Sequence, residues 1–303
     1  MNPTKKSENI LKQRFRELSE PLEPESTGEK PVLKKLEGIK AVIFDFYGTL
    51  FISGVGDIGI DDGKSDAGML VDALKSSGIT VTNIKAGVRG YEIYDEVVTE
   101  EVQRIKSAGI IYPEPDIRTV WRNVLNQMYA EGHTESPANE AQHERMSVEF
   151  EARMNPIWPM PDMNETLEKI REKNLLLGII SNSQFYTLIA FEALAGKSLE
   201  EYGFEPELLH WSFAENMKKP SVPFYERFMR KAKEFGSGIK AGEILYVGND
   251  MLKDVYPAAE LGMKTALFAG DKRSLKWRRD DDRCKDLQPD LVITELKQLL
   301  ECL

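Results

Sequence analysis

Four short apolar runs, each ending on small polar or acidic residues, constrain this 303-residue chain more than any other feature. Ala41-Val42-Ile43-Phe44 stops at Asp45, and Leu175-Leu176-Leu177-Gly178-Ile179-Ile180 stops at Ser181-Asn182. Ile244-Leu245-Tyr246-Val247 stops at Gly248-Asn249-Asp250, and Thr265-Ala266-Leu267-Phe268 stops at Ala269-Gly270. Short apolar runs without alternation suit strands buried on both faces. Amphipathic helical patterns lie between them, including Met163-Leu167-Ile170 and Phe224-Phe228-Met229-Ala232. Strand, helix and strand in succession require right-handed crossovers, so the expected fold is α/β, a doubly wound parallel sheet with helices on both faces. In such a sheet the ligand site lies beyond the carboxyl ends of the strands, where these polar residues collect.

The interval between Asp45 and Ser181 reads mostly helical. Ser65 is placed to cap a helix carrying Met69, Leu70 and Leu74 that stops near Gly78. A second helix begins near Pro115 and sets Ile117, Val120, Trp121, Val124, Leu125 and Met128 on one face. So much helix in one connection implies an inserted helical domain over residues 54–159, with the core made of 39–53 and 160–303. Residues 1–38 read as a short amphipathic helix, whose Ile10, Leu11, Phe15 and Leu18 dock on the chain's own core or, as the alternative, on a partner or second copy, followed by a flexible lead through the turn-rich run 21–28.

Composition narrows the function classes. A net charge of −10 argues against a large electrostatic footprint on nucleic acid or an anionic membrane. No stretch approaches the ~18 apolar residues needed to span a bilayer, and the polar residues after Lys5-Lys6 leave no apolar block for a signal peptide, so a cytoplasmic location is expected. Two cysteines, Cys284 and Cys302, are too few for a disulfide framework. His133, His143 and His210 have no ligand spacing.

The strand-end residues make a chemical set. A carboxylate fixed at a strand end, Asp45, can attack phosphorus or carbon and split a hard displacement into formation and hydrolysis of an aspartyl intermediate. Gly48 lets the backbone turn sharply behind it, while the Ser181 hydroxyl and a lysine ammonium from Lys218 or Lys219 can hold the transferring group's oxygens. Asp250 and Asp254 lie four apart where strand turns into helix, so both can project to one side. Three carboxylates gathered around Asp45 would repel, and Mg²⁺ is the cation expected to offset that, held by Asp45, Asp250 and Asp254, with Asn249 as an alternative to Asp250. The mixed-charge run from Asp271 to Arg283 follows a strand end, and reads as a solvated loop or as cations at the rim of the site.

Asp45-Phe46-Tyr47-Gly48-Thr49-Leu50 resembles the opening motif of the haloacid dehalogenase superfamily, DxDGT or, in one branch, DxYGT. Ser181, Lys219-Pro220 and the acidic stretch Gly248 to Asp254 match its three further motifs in order, and Pro220 selects Lys219 over Lys218. The resemblance covers roughly residues 39–53 and 160–303. It implies a Rossmann-like core with a helical cap inserted after the first motif, catalysis by Asp45, Tyr47, Ser181 and Lys219, and substrate contacts from Phe46, Gly48, Thr49 and Asn182. It also implies a small, anionic substrate. Tyr47 is the departure: phosphatase branches carry a second Asp there that protonates the leaving oxygen, and a phenol of pKa ~10 is a poor substitute. Tyrosine there resembles the 2-haloacid dehalogenases, which need neither that proton nor a metal, whereas the paired acids resemble the phosphatases. Mg²⁺-dependent phosphoester hydrolysis is the leading expectation, metal-independent dehalogenation the second, and a non-catalytic binding protein the third.

Overall fold

The computed structural model describes residues 3–55, 66–83, 85–235 and 238–303. Its centre is a six-stranded, all-parallel sheet in the order β5-β4-β1-β6-β7-β8. The strands are β1 (Ala41–Phe44), β4 (Leu176–Ser181), β5 (Phe204–Trp211), β6 (Ile244–Gly248), β7 (Lys264–Phe268) and β8 (Leu291–Ile293). The four apolar runs are its four central strands. Edge strands β5 and β8 escape the sequence pattern because β5 carries Glu205, Pro206 and Glu207 on its exposed side and β8 is only three residues long.

Alternation along β1 shows why the run is apolar throughout. Val42 and Phe44 face a core shared with α6 (Met163–Glu172) and α7 (Tyr186–Ala195). Ala41 and Ile43 face the opposite layer, packed by Phe224, Phe228 and Met229 of α8 (Val222–Glu234). Phe44 is level with Ile179 of β4 and Val247 of β6, so Asp45 emerges between two strand ends. The chain builds outward from β1 through β4 to β5, then crosses back to β6, β7 and β8. The boundary between β1 and β6 is therefore the switch point where such sheets open a crevice.

After Asp45 the chain leaves the sheet through an antiparallel stem, β2 (Phe51–Ser53) against β3 (Ile157–Pro159). Between these two strands lie α2 (Ala67–Ser76), α3 (Ala86–Ser107), α4 (Ile117–Ala130) and α5 (Glu140–Met154), which bury Leu70, Ile93, Val120, Trp121, Leu125 and Met128 in a core of their own. Ser65 lies outside the described residues; Asp66 caps α2 instead, its Oδ1 accepting from the amides of Gly68 and Met69. Asp116 caps α4.

Helix α1 (Pro3–Leu18) buries Leu11 and Phe15 and joins the sheet's α7 to the inserted α5. The segment after it is not the flexible lead its turn-rich composition implies. Thr27 Oγ1 donates to the Ala269 carbonyl, Lys272 N donates to Glu25 O, Trp277 Nε1 donates to Glu29, and Val32 pairs with Val292 of edge strand β8. The segment thereby covers a sheet edge that would otherwise offer unpaired backbone groups. No helix among the described residues is long and apolar enough to cross a membrane.

Candidate active site

Asp45 stands at the end of β1 with its amide bonded to the Val247 carbonyl of β6 (2.8 Å). The next residues fold back at once: the Phe46 carbonyl accepts from the amides of Leu50 and Phe51, and Gly48 adopts φ +79°. A Cβ at Gly48 would meet Ser274 Cβ at 2.6 Å, so the turn needs glycine for space as well as for φ.

The Lys219 ammonium, 2% exposed, lies 2.7 Å from Asp45 Oδ1 and 2.6 Å from Asp254 Oδ1. Lys219, and not Lys218, thus reaches Asp45. Burial alone would lower the ammonium's pKa, but the two carboxylates outweigh it and hold it above the ordinary lysine value. Asp254 is fixed on three sides, by Lys219, by the Tyr246 hydroxyl (3.0 Å) and by the Asp250 amide (2.9 Å). Burial pushes its carboxyl up while Lys219 pulls it down. Gly248 makes the packing possible, since a Cβ there would fall 2.4 Å from Asp254 Cγ. Asp254 is therefore an anchor for Lys219.

Asp250 is engaged differently. Its Oδ1 accepts from the amides of Leu252 and Lys253, capping the π-helical turn Met251–Val255, and Arg278 donates to both of its oxygens, with Nη2 2.7 Å from Oδ2. Asp45, Asp250 and Asp254, the residues expected to hold Mg²⁺, are each engaged by a protein cation, Lys219 on Asp45 and Asp254 and Arg278 on Asp250, and among the described residues no group of three His, Cys, Asp or Glu is arranged to hold an ion. Asn249 is no substitute, because its Oδ1 accepts from Thr49 Oγ1 (3.1 Å) and its amide donates to Ser274 O.

The expected substrate contacts are redistributed. The Phe46 ring stacks on Phe51 (4.6 Å between centroids) within the core, and Thr49 is fully buried against Asn249; neither these residues nor Gly48 lines the cavity. Asn182 does line it, but its side chain clamps the Lys219 backbone in a reciprocal pair, accepting from Lys219 N (2.8 Å) and donating to Lys219 O. Ser181 closes β4 with a buried Oγ that has no hydrogen-bond partner in the protein, as does Ser274 from the loop after β7. Tyr47 points its hydroxyl at Thr187 Oγ1 (2.9 Å), and burial pushes its pKa well above the ordinary phenol value.

The cavity, about 250 Å³, lies between the strand ends and the inserted helices. Asp45, Tyr47, Lys218, Lys219, Lys253 and Lys276 line the sheet side, and Val98, Val102, Ile117, Val120, Trp121 and Phe150 the helical side. Two carboxylates passed over in the sequence reach it as well. Glu114 accepts from Gln184 Nε2 (3.1 Å) and Glu151 from the Tyr186 hydroxyl (2.8 Å), and burial raises both pKa values. Their signal was there: Glu151 shares a stripe with Ser147 and Phe150 on a helix face that is otherwise buried. Arg278, from the mixed-charge run after β7, is the counter-ion of Asp250.

The sequence model of the family described as haloacid dehalogenase-like hydrolase matches residues 98–268. Two curated relatives are glyceraldehyde 3-phosphate phosphatases. That of Pyrococcus furiosus is 28% identical over 144 residues, covering 48% of this chain and 54% of the relative; that of Methanocaldococcus jannaschii is 29% identical over 143 residues, covering 47% and 55%. The chain thus spans about half the length of the curated relatives it matches. Among solved structures, a 2-haloacid dehalogenase from Pseudomonas syringae pv. Tomato DC3000 shares the fold with a TM-score of 0.55, at 22% identity and covering 87% of this chain and 97% of that one. With a family match over more than half its length, on a sheet whose switch point presents Asp45 and Lys219, this chain belongs to the haloacid dehalogenase-like hydrolase family.

Proposed function

We propose that this hydrolase cleaves a small phosphate monoester through a covalent intermediate on Asp45. The observation that carries the reading is the buried Asp45–Lys219–Asp254 array facing the cavity between the strand ends and the inserted helices. The relatives named as glyceraldehyde 3-phosphate phosphatases support the substrate class, as do the four lysines around the cavity. Asp45 attacks phosphorus, the ester oxygen departs on the opposite side, and water then attacks the aspartyl phosphate to release phosphate and free Asp45. Lys219 neutralises charge on the transferring oxygens, and Asp254 holds it there so that no reorganisation is needed as charge develops. The unpartnered hydroxyl of Ser274, a residue of the cavity wall, is an available donor.

The resemblance implies Mg²⁺, and the donor set does not fit it. A divalent ion would have to displace Lys219 from Asp45 and Asp254, and Arg278 from Asp250. The chemistry above therefore rests on the chain's own cations.

One observation favours a second reading. With its hydroxyl tied to Thr187 and its pKa raised, Tyr47 supplies no ready proton, and halide is a leaving group that needs none. A single preparation assayed for phosphate release from phosphomonoesters and halide release from 2-haloacids separates the two. Asp45→Asn should abolish whichever activity is present while the thermal midpoint stays within a few degrees of wild type. Retention of more than about a tenth of the activity would remove Asp45 as nucleophile.

A further inference from the structure

We propose that Glu151, contributed by helix α5 of the inserted domain, is the proton donor to the leaving oxygen. This rests on the phosphomonoesterase reading above. Displacement in line with Asp45 sends the ester oxygen away from the sheet and toward the inserted helices, and an alkoxide cannot depart there unprotonated at neutral pH. Tyr47 stands where the phosphatase branches place that acid, and its hydroxyl is bonded to Thr187. Glu151 lines the same cavity as Asp45 and Tyr47, from the opposite wall. Its carboxyl is aimed by two donors, the Tyr186 hydroxyl to Oε2 (2.8 Å) and the Asn155 amide to Oε1 (3.3 Å). Asn155 is in turn fixed by Ser53 Oγ of the stem (2.8 Å), so the group is positioned from both domains.

The surroundings suit an acid that stays protonated longer than an exposed glutamate. Burial pushes its pKa up, and the donors from Tyr186 and Asn155 only partly oppose that. The titratable groups facing it are Tyr47 from the loop after β1, Tyr94 from α3 and Tyr186 from α7, all of raised pKa. The charges of its own and neighbouring helices are engaged elsewhere: Glu149, two residues away and nearly opposite on α5, with Arg14 of α1 and Arg153, and Arg122 of α4 with Glu140. As Asp45 Oδ forms its bond to phosphorus and the phosphorus–ester oxygen bond breaks, the Glu151 proton passes to the departing oxygen, giving the neutral alcohol. The carboxylate then takes a proton from the water that attacks the aspartyl phosphate, which restores Glu151 and Asp45 together.

The test is leaving-group dependence in Glu151→Gln, which keeps the shape and removes the proton. With an alkyl phosphate kcat/KM should fall by about 100-fold or more, and with 4-nitrophenyl phosphate, whose phenolate leaves readily, by less than about 10-fold. The alkaline limb of the wild-type pH profile on the alkyl substrate should vanish in the variant. Tyr186→Phe, which deletes one donor to the carboxylate, should move that limb to higher pH, and it supplies the readout if Glu151→Gln fails to fold. Equal losses on the two substrates, or an unmoved limb in Tyr186→Phe, overturn the assignment while leaving phosphomonoester hydrolysis standing. Wild-type protein that releases no phosphate from either substrate overturns both.

Discussion

Arg14 of the N-terminal helix grips Glu149 of α5 with two donors, Nε to Oε1 at 2.6 Å and Nη2 to Oε2 at 3.0 Å, and Glu149 is fully buried. The same helix is fastened to α7 of the sheet layer through Lys12 to Glu192 (2.6 Å) and Arg16 to the Ala193 carbonyl (2.9 Å). It therefore straps the inserted helices to the core. Burial alone would raise the Glu149 carboxyl, but Arg14 and Arg153 hold it below the ordinary value. A carboxyl depressed in the folded state contributes stability above its unfolded pKa near 4.5 and loses it as pH falls through the lower folded value. Glu149→Gln should flatten the fall in thermal midpoint below about pH 4.5, and Arg14→Ala should cost on the order of 2–3 kcal/mol at neutral pH, since Arg153 still partners the buried carboxylate. Thermal melts across that pH range check the first, and denaturant titrations at neutral pH check the second.

Asp254→Asn tests whether that residue anchors Lys219. The ammonium would keep only Asp45 as an ionic partner and sit closer to it, weakening the nucleophile while losing a buried pair. We expect a stability loss on the order of 3 kcal/mol and a drop in kcat with little change in KM. A larger effect on KM than on kcat would show that Asp254 acts on substrate binding instead.

Mg²⁺ should add little. Binding at Asp45, Asp250 and Asp254 would have to break the Arg278 fork on Asp250 and release Lys219, so millimolar Mg²⁺ should leave the thermal midpoint nearly unmoved and a chelator should leave activity within about twofold. Arg278→Ala should uncover the acidic pair and create a midpoint that rises with Mg²⁺. Strict loss of wild-type activity in chelator, restored by Mg²⁺, would show that the ion outcompetes both side chains.

Gly48→Ala should be damaging out of proportion to its single methyl. The residue sits at φ +79°, which costs an L side chain about 1–2 kcal/mol, and its Cβ would overlap Ser274, a residue of the cavity wall. Stability should fall by at least that much, and activity with it as Ser274 and Asn249 shift. A fully active, equally stable variant would mean that the turn readily relaxes.

What the sequence determined by itself was the sheet's centre and the chemistry at its edge. Runs such as Ala41–Phe44 and Ile244–Val247 are apolar at every position, which only a strand covered on both faces requires, and the residues that end them, Asp45, Ser181 and Asp250, had to collect on one side once the strands ran parallel. Lys219 was legible through Pro220. What each carboxylate does was not legible, because spacing puts Asp250 and Asp254 in one neighbourhood without saying which cation arrives first. Tertiary packing brought Lys219 from the loop before α8 to Asp254 and Arg278 from beyond β7 to Asp250, so that the carboxylates stand in two ion-paired arrays. Packing also decided Glu151: on α5 it is one acidic residue among several, and only the closure of the inserted helices over the strand ends sets it against the cavity of Asp45. Local sequence fixes which side chains are available at short range, while contacts between residues a hundred positions apart depend on how two separately cored units meet, and no periodicity encodes that meeting.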